Sequence, residues 1–161
     1  MVLESNKGSG TSLTLYLPAD AKADEGDEAA APYENTNEGE GKLVLVADDE
    51  LFIRETIKRT LEGRGYKVLT AQDGTEALAV YAGNQNEIDM VVTNVEMPFM
   101  DGPALCRALK KLNPEVRILV SSGHKQREKV AEIKSCGVEN FLAKPYTADQ
   151  LADRVRAIIE V

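Results

Sequence analysis

From residue 42 onward the chain switches repeatedly between short continuous apolar runs and longer stretches of helical periodicity, and this alternation limits the fold more than any other feature. "KLVLVA" (42–47) carries no polar residue after Lys42, as a strand covered on both faces requires. "ELFIRETIKRTLEGRG" (50–65) sets Ile53, Ile57 and Leu61 four apart and stops on glycines, which predicts an amphipathic helix. "YKVLTA" (66–71) returns to strand, and "GTEALAVYA" (74–82) predicts a helix with Ala77, Leu78 and Tyr81 on one side. "DMVVTN" (89–94) is a third strand, followed by a helix over 102–112 with Leu105, Leu109 and Leu112 inward. "VRILVS" (116–121) and "ENFLAK" (139–144) are two more strands, separated by a helix over 127–136. Thr147 and Gln150 have the spacing of a capping box for a last helix burying Leu151, Val155 and Ile158.

Five strands alternating with five helices imply right-handed crossovers and a parallel sheet with helices on both faces. Periodicity does not give the strand order. For this length the natural candidate is an α/β doubly wound five-stranded sheet in the flavodoxin-like order, with its site at the carboxyl ends of the strands. Asp48-Asp49, Ala71-Gln72-Asp73, Asn94, Ser122-Gly123 and Lys144-Pro145 follow the five strands and are expected to converge on one edge.

Composition excludes several classes. With 161 residues, 43% hydrophobic and 29% charged, the chain suffices for one domain with a core. No apolar stretch approaches the ~20 residues that span a bilayer and no signal peptide opens the chain, so the expected location is the cytoplasm, without membrane contact. Cys106 and Cys136 have no CxxC or His companion and read as reduced packing residues. Residues 1–41 hold nine acids against Lys7 and Lys22, a balance of −7 out of the chain's −8. The rest is nearly neutral, so nothing points to nucleic acid.

The charge division is also architectural. Residues 19–41 have no apolar periodicity and a like-charge excess, so they are expected to form a flexible acidic linker. Ahead of it, "SLTLYL" (12–17) alternates like a half-buried strand and closes on Pro18. The segment 1–18 resembles the last strands of the ATP-binding domain of sensor histidine kinases, where a glycine-threonine turn precedes a terminal strand ending in Leu-Pro. A tail that happens to alternate is the plainer alternative. In neither case is it an independent fold.

Adjacent carboxylates Asp48 and Asp49, just past an apolar strand, suit Mg²⁺, which takes oxygen ligands. Capping of the following helix is the ordinary alternative, and one residue can cap while the other coordinates. Ser122 beside Gly123 offers a hydroxyl at a strand end, and Lys144 offers an ammonium that could pair with a phosphoryl oxygen. Alone, each reads as a turn serine or a solvated lysine. Their weight comes from standing together, each at the correct end of its own strand.

The set "VADDE", "TNVEMPFMDG", "LVSSGH" and "NFLAKPY" resembles, in order and spacing, the receiver domain of two-component signalling over 42–161. The resemblance implies the strand order 2-1-3-4-5. It makes Asp49 a direct Mg²⁺ ligand, Asp48 an indirect one and the backbone carbonyl of Glu96 a third. It makes Ser122 the hydroxyl and Lys144 the lysine that bond the phosphoryl group, and Phe141 the aromatic that swings inward with the hydroxyl. Glu96 and His124 fall at the variable positions that tune the phosphoaspartate lifetime, although His124 also reads as an exposed loop residue. The Lys144-Pro145 peptide is expected to be cis.

The departure falls on the phosphoacceptor, where the family has aspartate and this chain has Asn94. An amide oxygen is a far weaker nucleophile than a carboxylate and brings no charge to a metal. Phosphorylation is therefore expected to be lost and Mg²⁺ binding at Asp48, Asp49, Asn94 and Glu96 weakened. Two origins fit: a natural receiver working as a phosphate-independent protein-interaction module, or a deliberate Asp-to-Asn substitution.

The implied parent is a hybrid sensor histidine kinase with a carboxyl-terminal receiver. Its partner is the kinase's own dimerisation and phosphohistidine domain, or a separate phosphotransfer protein. The helix after His124 would lie on the output face, its mixed charges suiting a transient contact. Two rival classes are weaker. A haloacid-dehalogenase-type phosphatase needs an Asp-x-Asp signature that "ADDEL" lacks, and a flavodoxin-like cofactor binder needs a Ser/Thr/Gly-rich first loop.

Overall fold

The computed structural model describes residues 2–6, 10–14, 38–123 and 126–160. The chain divides into two compact units, Met1–Pro32 and Tyr33–Val161. In the first unit, β1 (Val2–Asn6) and β2 (Gly10–Thr14) form an antiparallel pair. The expected strand over 12–17 thus begins two residues earlier, and its last three residues lie outside the described ones.

The second unit alternates β3 (Leu43–Ala47), α1 (Leu51–Glu62), β4 (Lys67–Ala71), α2 (Gly74–Gly83), β5 (Ile88–Asn94), α3 (Gly102–Leu112), β6 (Ile118–Ser122), α4 (Arg127–Ser135), β7 (Asn140–Ala143) and α5 (Ala148–Ile159). Its five strands are all parallel, in the order β4-β3-β5-β6-β7. Within this unit that is 2-1-3-4-5, the doubly wound flavodoxin-like order.

The apolar runs follow from burial on both faces of the sheet. Leu45, Val91 and Val120 pack with Ala77, Tyr81, Leu105, Leu109 and Ile133 under α2, α3 and α4. Val44, Val46, Met90, Val92 and Leu119 pack with Ile57, Leu61, Leu151, Val155 and Ile158 under α1 and α5. Because neighbouring strand residues point to opposite faces, a strand with a core on each side is apolar along most of its length, with buried polar residues such as Thr93 and Ser121 only beside the carboxyl edge.

Local sequence sets the helix ends. Asp73 caps α2 by accepting from the Thr75 and Glu76 N–H groups, and Asp101 caps α3 by accepting from Ala104 N–H. At α5 both halves of the capping box are present: Thr147 Oγ accepts from Gln150 N–H, and Gln150 Oε1 accepts from Thr147 N–H.

Three expectations are corrected. Leu112 does not point inward; it is the last residue of α3 and 46% exposed. Strand β6 starts at Ile118 because Val116 N–H closes a turn onto Asn113. The expected linker ran to Gly41, but residues 38–41 form a turn in which Gly39 and Gly41 donate to the carbonyls of Arg64 and Gly65. Glu38 also pairs with Arg64 at 3.4 Å and Arg156 at 3.6 Å, holding that turn on the α1–β4 corner and on α5.

Candidate functional site

Parallel strands deliver their carboxyl ends to one edge, and the residues there assemble into a single hydrogen-bonded cluster. Asp48 follows β3 and is only 1% exposed. Its Oδ1 accepts from Glu50 N–H at 3.0 Å, and its Oδ2 lies 3.4 Å from Lys144 Nζ. Burial raises its pKa, opposed by that N–H and by the Lys144 ammonium. The α1 helix has no side-chain cap at Glu50, so the capping alternative for Asp48 reduces to one bond before the helix begins.

Asn94 ends β5 and is 8% exposed. Its Nδ2 donates to the Glu96 carbonyl at 2.9 Å and to Asp49 Oδ1 at 3.2 Å. Its Oδ1 accepts from Val95 N–H at 2.9 Å and from Lys144 Nζ at 3.3 Å. Lys144 therefore ties the ends of β3, β5 and β7 together. Its own N–H donates to the Ser122 carbonyl at 2.8 Å, which seats the β7 end beside β6, and its peptide bond to Pro145 is cis.

Ser122 lies at the end of β6, half-buried, next to Gly123, whose N–H is held by Gln126 Oε1 at 2.8 Å. Phe141 packs half-buried against the core under α2, α3 and α4, with Lys134 Nζ 5.4 Å from its ring centroid. Glu96 is exposed and contributes its carbonyl to the cluster. His124 lies outside the described residues. Gln72 and Asp73 reach the same edge, but Asp73 is committed to capping α2.

Two contributors were not singled out in the sequence. Arg54, one turn into α1, donates to the Asp48 carbonyl at 2.5 Å and so ties the acidic loop to the helix. Gly102 allows close backbone approach: a Cβ there would stand 2.6 Å from the Asn94 carbonyl oxygen and 2.9 Å from Val95 Cα. The "DGP" run marks Gly102 as a helix start but not as the floor under Asn94.

For a hard cation, the oxygens of Asp48, Asp49 and the Glu96 carbonyl are chemically apt. As the side chains stand they do not fit one, because the Asn94 NH₂ group, a hydrogen-bond donor, is turned onto two of those oxygens. Among the described residues no group of three or more His, Cys, Asp or Glu could hold a metal ion.

Comparison with known proteins agrees with this architecture. The response regulator receiver domain profile matches residues 44–156. A receiver domain from Clostridium thermocellum superposes with a TM-score of 0.70 at 35% identity, covering 73% of this chain and 94% of that one. The chemotaxis response regulator CheY4 of Vibrio cholerae superposes at 0.67 with 31% identity, covering 73% and 98%. Among curated proteins, the sensor kinase CckA of Brucella abortus is 34% identical over 98% of this chain. The response regulator MprA of a Mycobacterium species is 38% identical over 72% of it. The chain spans 17% of CckA and half of MprA.

A doubly wound sheet with an acidic pair, a strand-end lysine and a strand-end serine on its carboxyl edge defines a signalling receiver rather than a cofactor-binding flavodoxin. The chain belongs to the response regulator receiver family of two-component signalling.

Proposed function

We propose that this chain is a receiver that docks with a histidine-phosphotransfer partner but does not accept a phosphoryl group, because Asn94 stands in the phosphoacceptor place. The observation that carries this reading is the position of Asn94: it ends the central strand β5, buried, with Oδ1 held by Lys144 and the Val95 N–H. A carboxylate there would be an aimed nucleophile beside an ammonium. An amide oxygen, with its lone pair delocalised and no charge, does not attack phosphorus at a useful rate.

Exposed apolar side chains close in sequence to Asp49 and Asn94 support docking. Leu51 and Phe52, opening α1 beside Asp49, are 64% and 80% exposed, and Phe99, in the loop after β5, is 93% exposed. Phe99 also holds a φ of +62°, an expensive conformation for an aromatic residue. Neither burial nor backbone asks for apolar groups there, which favours a surface met by another protein. The partner proposed is the phosphohistidine domain of a kinase or a separate phosphotransfer protein.

A hybrid sensor kinase is the proposed context, in the cytoplasm. The similarity to CckA extends over 98% of the chain, so it takes in the segment before the receiver as well. No helix among the described residues is long and apolar enough to cross a membrane. The second reading is a phosphorylation-independent interaction module, favoured by the fully bonded Asn94.

Intact mass after incubation with acetyl phosphate and Mg²⁺, on this chain and on Asn94→Asp, tests the proposal. A phosphoryl gain by the aspartate form alone supports it. A gain by the unaltered chain overturns it, and a gain by neither passes the lead to the interaction module.

A further inference from the structure

We infer that the side-chain amide of Asn94 takes the place of a cation in this site, its NH₂ group cross-linking oxygens that would otherwise hold Mg²⁺, so that the chain is closed to the metal. The inference rests on the reading of the pocket as a receiver site.

An asparagine side chain has two N–H donors and an oxygen that accepts two hydrogen bonds. In Asn94 all of this capacity is used: Nδ2 donates to Asp49 Oδ1 and the Glu96 carbonyl, while Oδ1 accepts from Val95 N–H and Lys144. The partners also fix which way the amide faces. Turned over, it would set its NH₂ against a backbone N–H and an ammonium, donor against donor. Coordination through Oδ1 therefore requires giving up Lys144 or the Val95 N–H, and leaves Nδ2 still among the ligands.

The amide bridges the β3 end to the β5 loop, as an ion held by the same oxygens would. Mg²⁺ demands oxygens at about 2.0–2.1 Å in near-octahedral array, so an N–H group directed into that array competes for the same space. Asn94 is in this respect more than a weak ligand. A weak ligand leaves the metal bound by the remaining oxygens, whereas a plug must be removed first.

Deletion of the side chain separates the two. Asn94→Ala loses an oxygen ligand and the plug together, so the plug predicts tighter Mg²⁺ binding than in the unaltered chain and the weak ligand predicts equal or weaker binding. The experiment is a MgCl₂ titration of the full chain, unaltered and Asn94→Ala, by calorimetry and by ¹H–¹⁵N spectra that include the Asn94 NH₂ pair. We expect the alanine chain to bind about tenfold more tightly, the scale of losing a competing hydrogen bond to a charged group. In the unaltered chain, we expect the Asn94 pair to stay unmoved at millimolar Mg²⁺. Alanine binding no better, or a shifted Asn94 pair in the unaltered chain, overturns the inference. Asn94→Ser repeats the comparison if the alanine chain does not fold.

Phosphorylation of Asn94→Asp reports separately on the receiver reading. Phosphate gained there with no advantage for alanine defeats the plug alone. Tighter binding by alanine with no phosphate on the aspartate form defeats the phosphoacceptor reading alone.

Discussion

Lys144 reaches across the carboxyl edge of the sheet to Asp48, Nζ to Oδ2 at 3.4 Å, and so joins the first strand of the receiver to the last. Asp48 is buried, and among the described residues the Glu50 N–H is its one other hydrogen-bond donor, so truncating the lysine leaves a carboxylate poorly compensated. Lys144→Ala is expected to cost about 1–3 kcal/mol in urea unfolding at neutral pH. Asp48→Asn in the same chain should recover part of that loss. An unchanged urea midpoint would show that the bridge contributes nothing to stability.

Gly102 and Gly83 should respond oppositely to alanine. A Cβ at Gly102 meets the Asn94 carbonyl and Val95 backbone at 2.6 and 2.9 Å, and backbone cannot move aside as a side-chain tip can. Gly102→Ala is expected to destabilise by about 1–3 kcal/mol or more and to disturb the Asn94 resonances. At Gly83, the last residue of α2, an added Cβ meets nothing within 4 Å. There alanine should be neutral or stabilising by up to about 1 kcal/mol. Equal melting temperatures for both variants would contradict the close approach.

The two signals that made the fold legible were the short apolar strands and the helix punctuation, the glycines closing 50–65 and the Thr147–Gln150 capping box, because each reports a local constraint that tertiary structure did not override. Strand order came from the receiver resemblance. Leu112 misled because periodicity does not say where a helix leaves the core. Residues 38–41 misled because Gly39 and Gly41 serve a turn bonded to Arg64 and Gly65, a pairing invisible in an acidic, glycine-rich run. At the site, Asp48, Asp49, Asn94 and Lys144 were legible as strand-end residues. The facing of the Asn94 amide was not, since it depends on four partners from four separate positions. Arg54 was hidden for the same reason, as a helix arginine whose acceptor is a main-chain oxygen.

The two cysteines should differ in reactivity. Cys106 is fully buried on α3, and desolvation pushes its thiol up to about 12, so almost none is thiolate near neutral pH. Cys136, at the end of α4, is partly exposed. A thiol reagent at neutral pH is expected to modify one cysteine per folded chain and two in denaturant, with peptide mapping placing the first at Cys136. Rapid labelling of Cys106 in the folded protein would contradict the burial.

The docking surface makes the last prediction. Phe52 is 80% exposed, so Phe52→Ala removes little folded-state packing and should leave stability within about 0.5 kcal/mol. If a partner covers it, the same truncation exposes part of an interface anchor and should weaken binding to a sensor kinase's phosphohistidine domain about tenfold. Phe99→Gly separates the two roles of its residue: glycine accepts the φ of +62° without strain, so stability should hold or rise while affinity falls. Calorimetric titration of both variants against that domain, beside thermal melts, provides the check. Lower melting temperature with unchanged affinity would make these aromatics structural and move the docking surface elsewhere. Unchanged stability with lost affinity would place it at the start of α1 and the loop after β5, the surface proposed to meet the phosphohistidine domain.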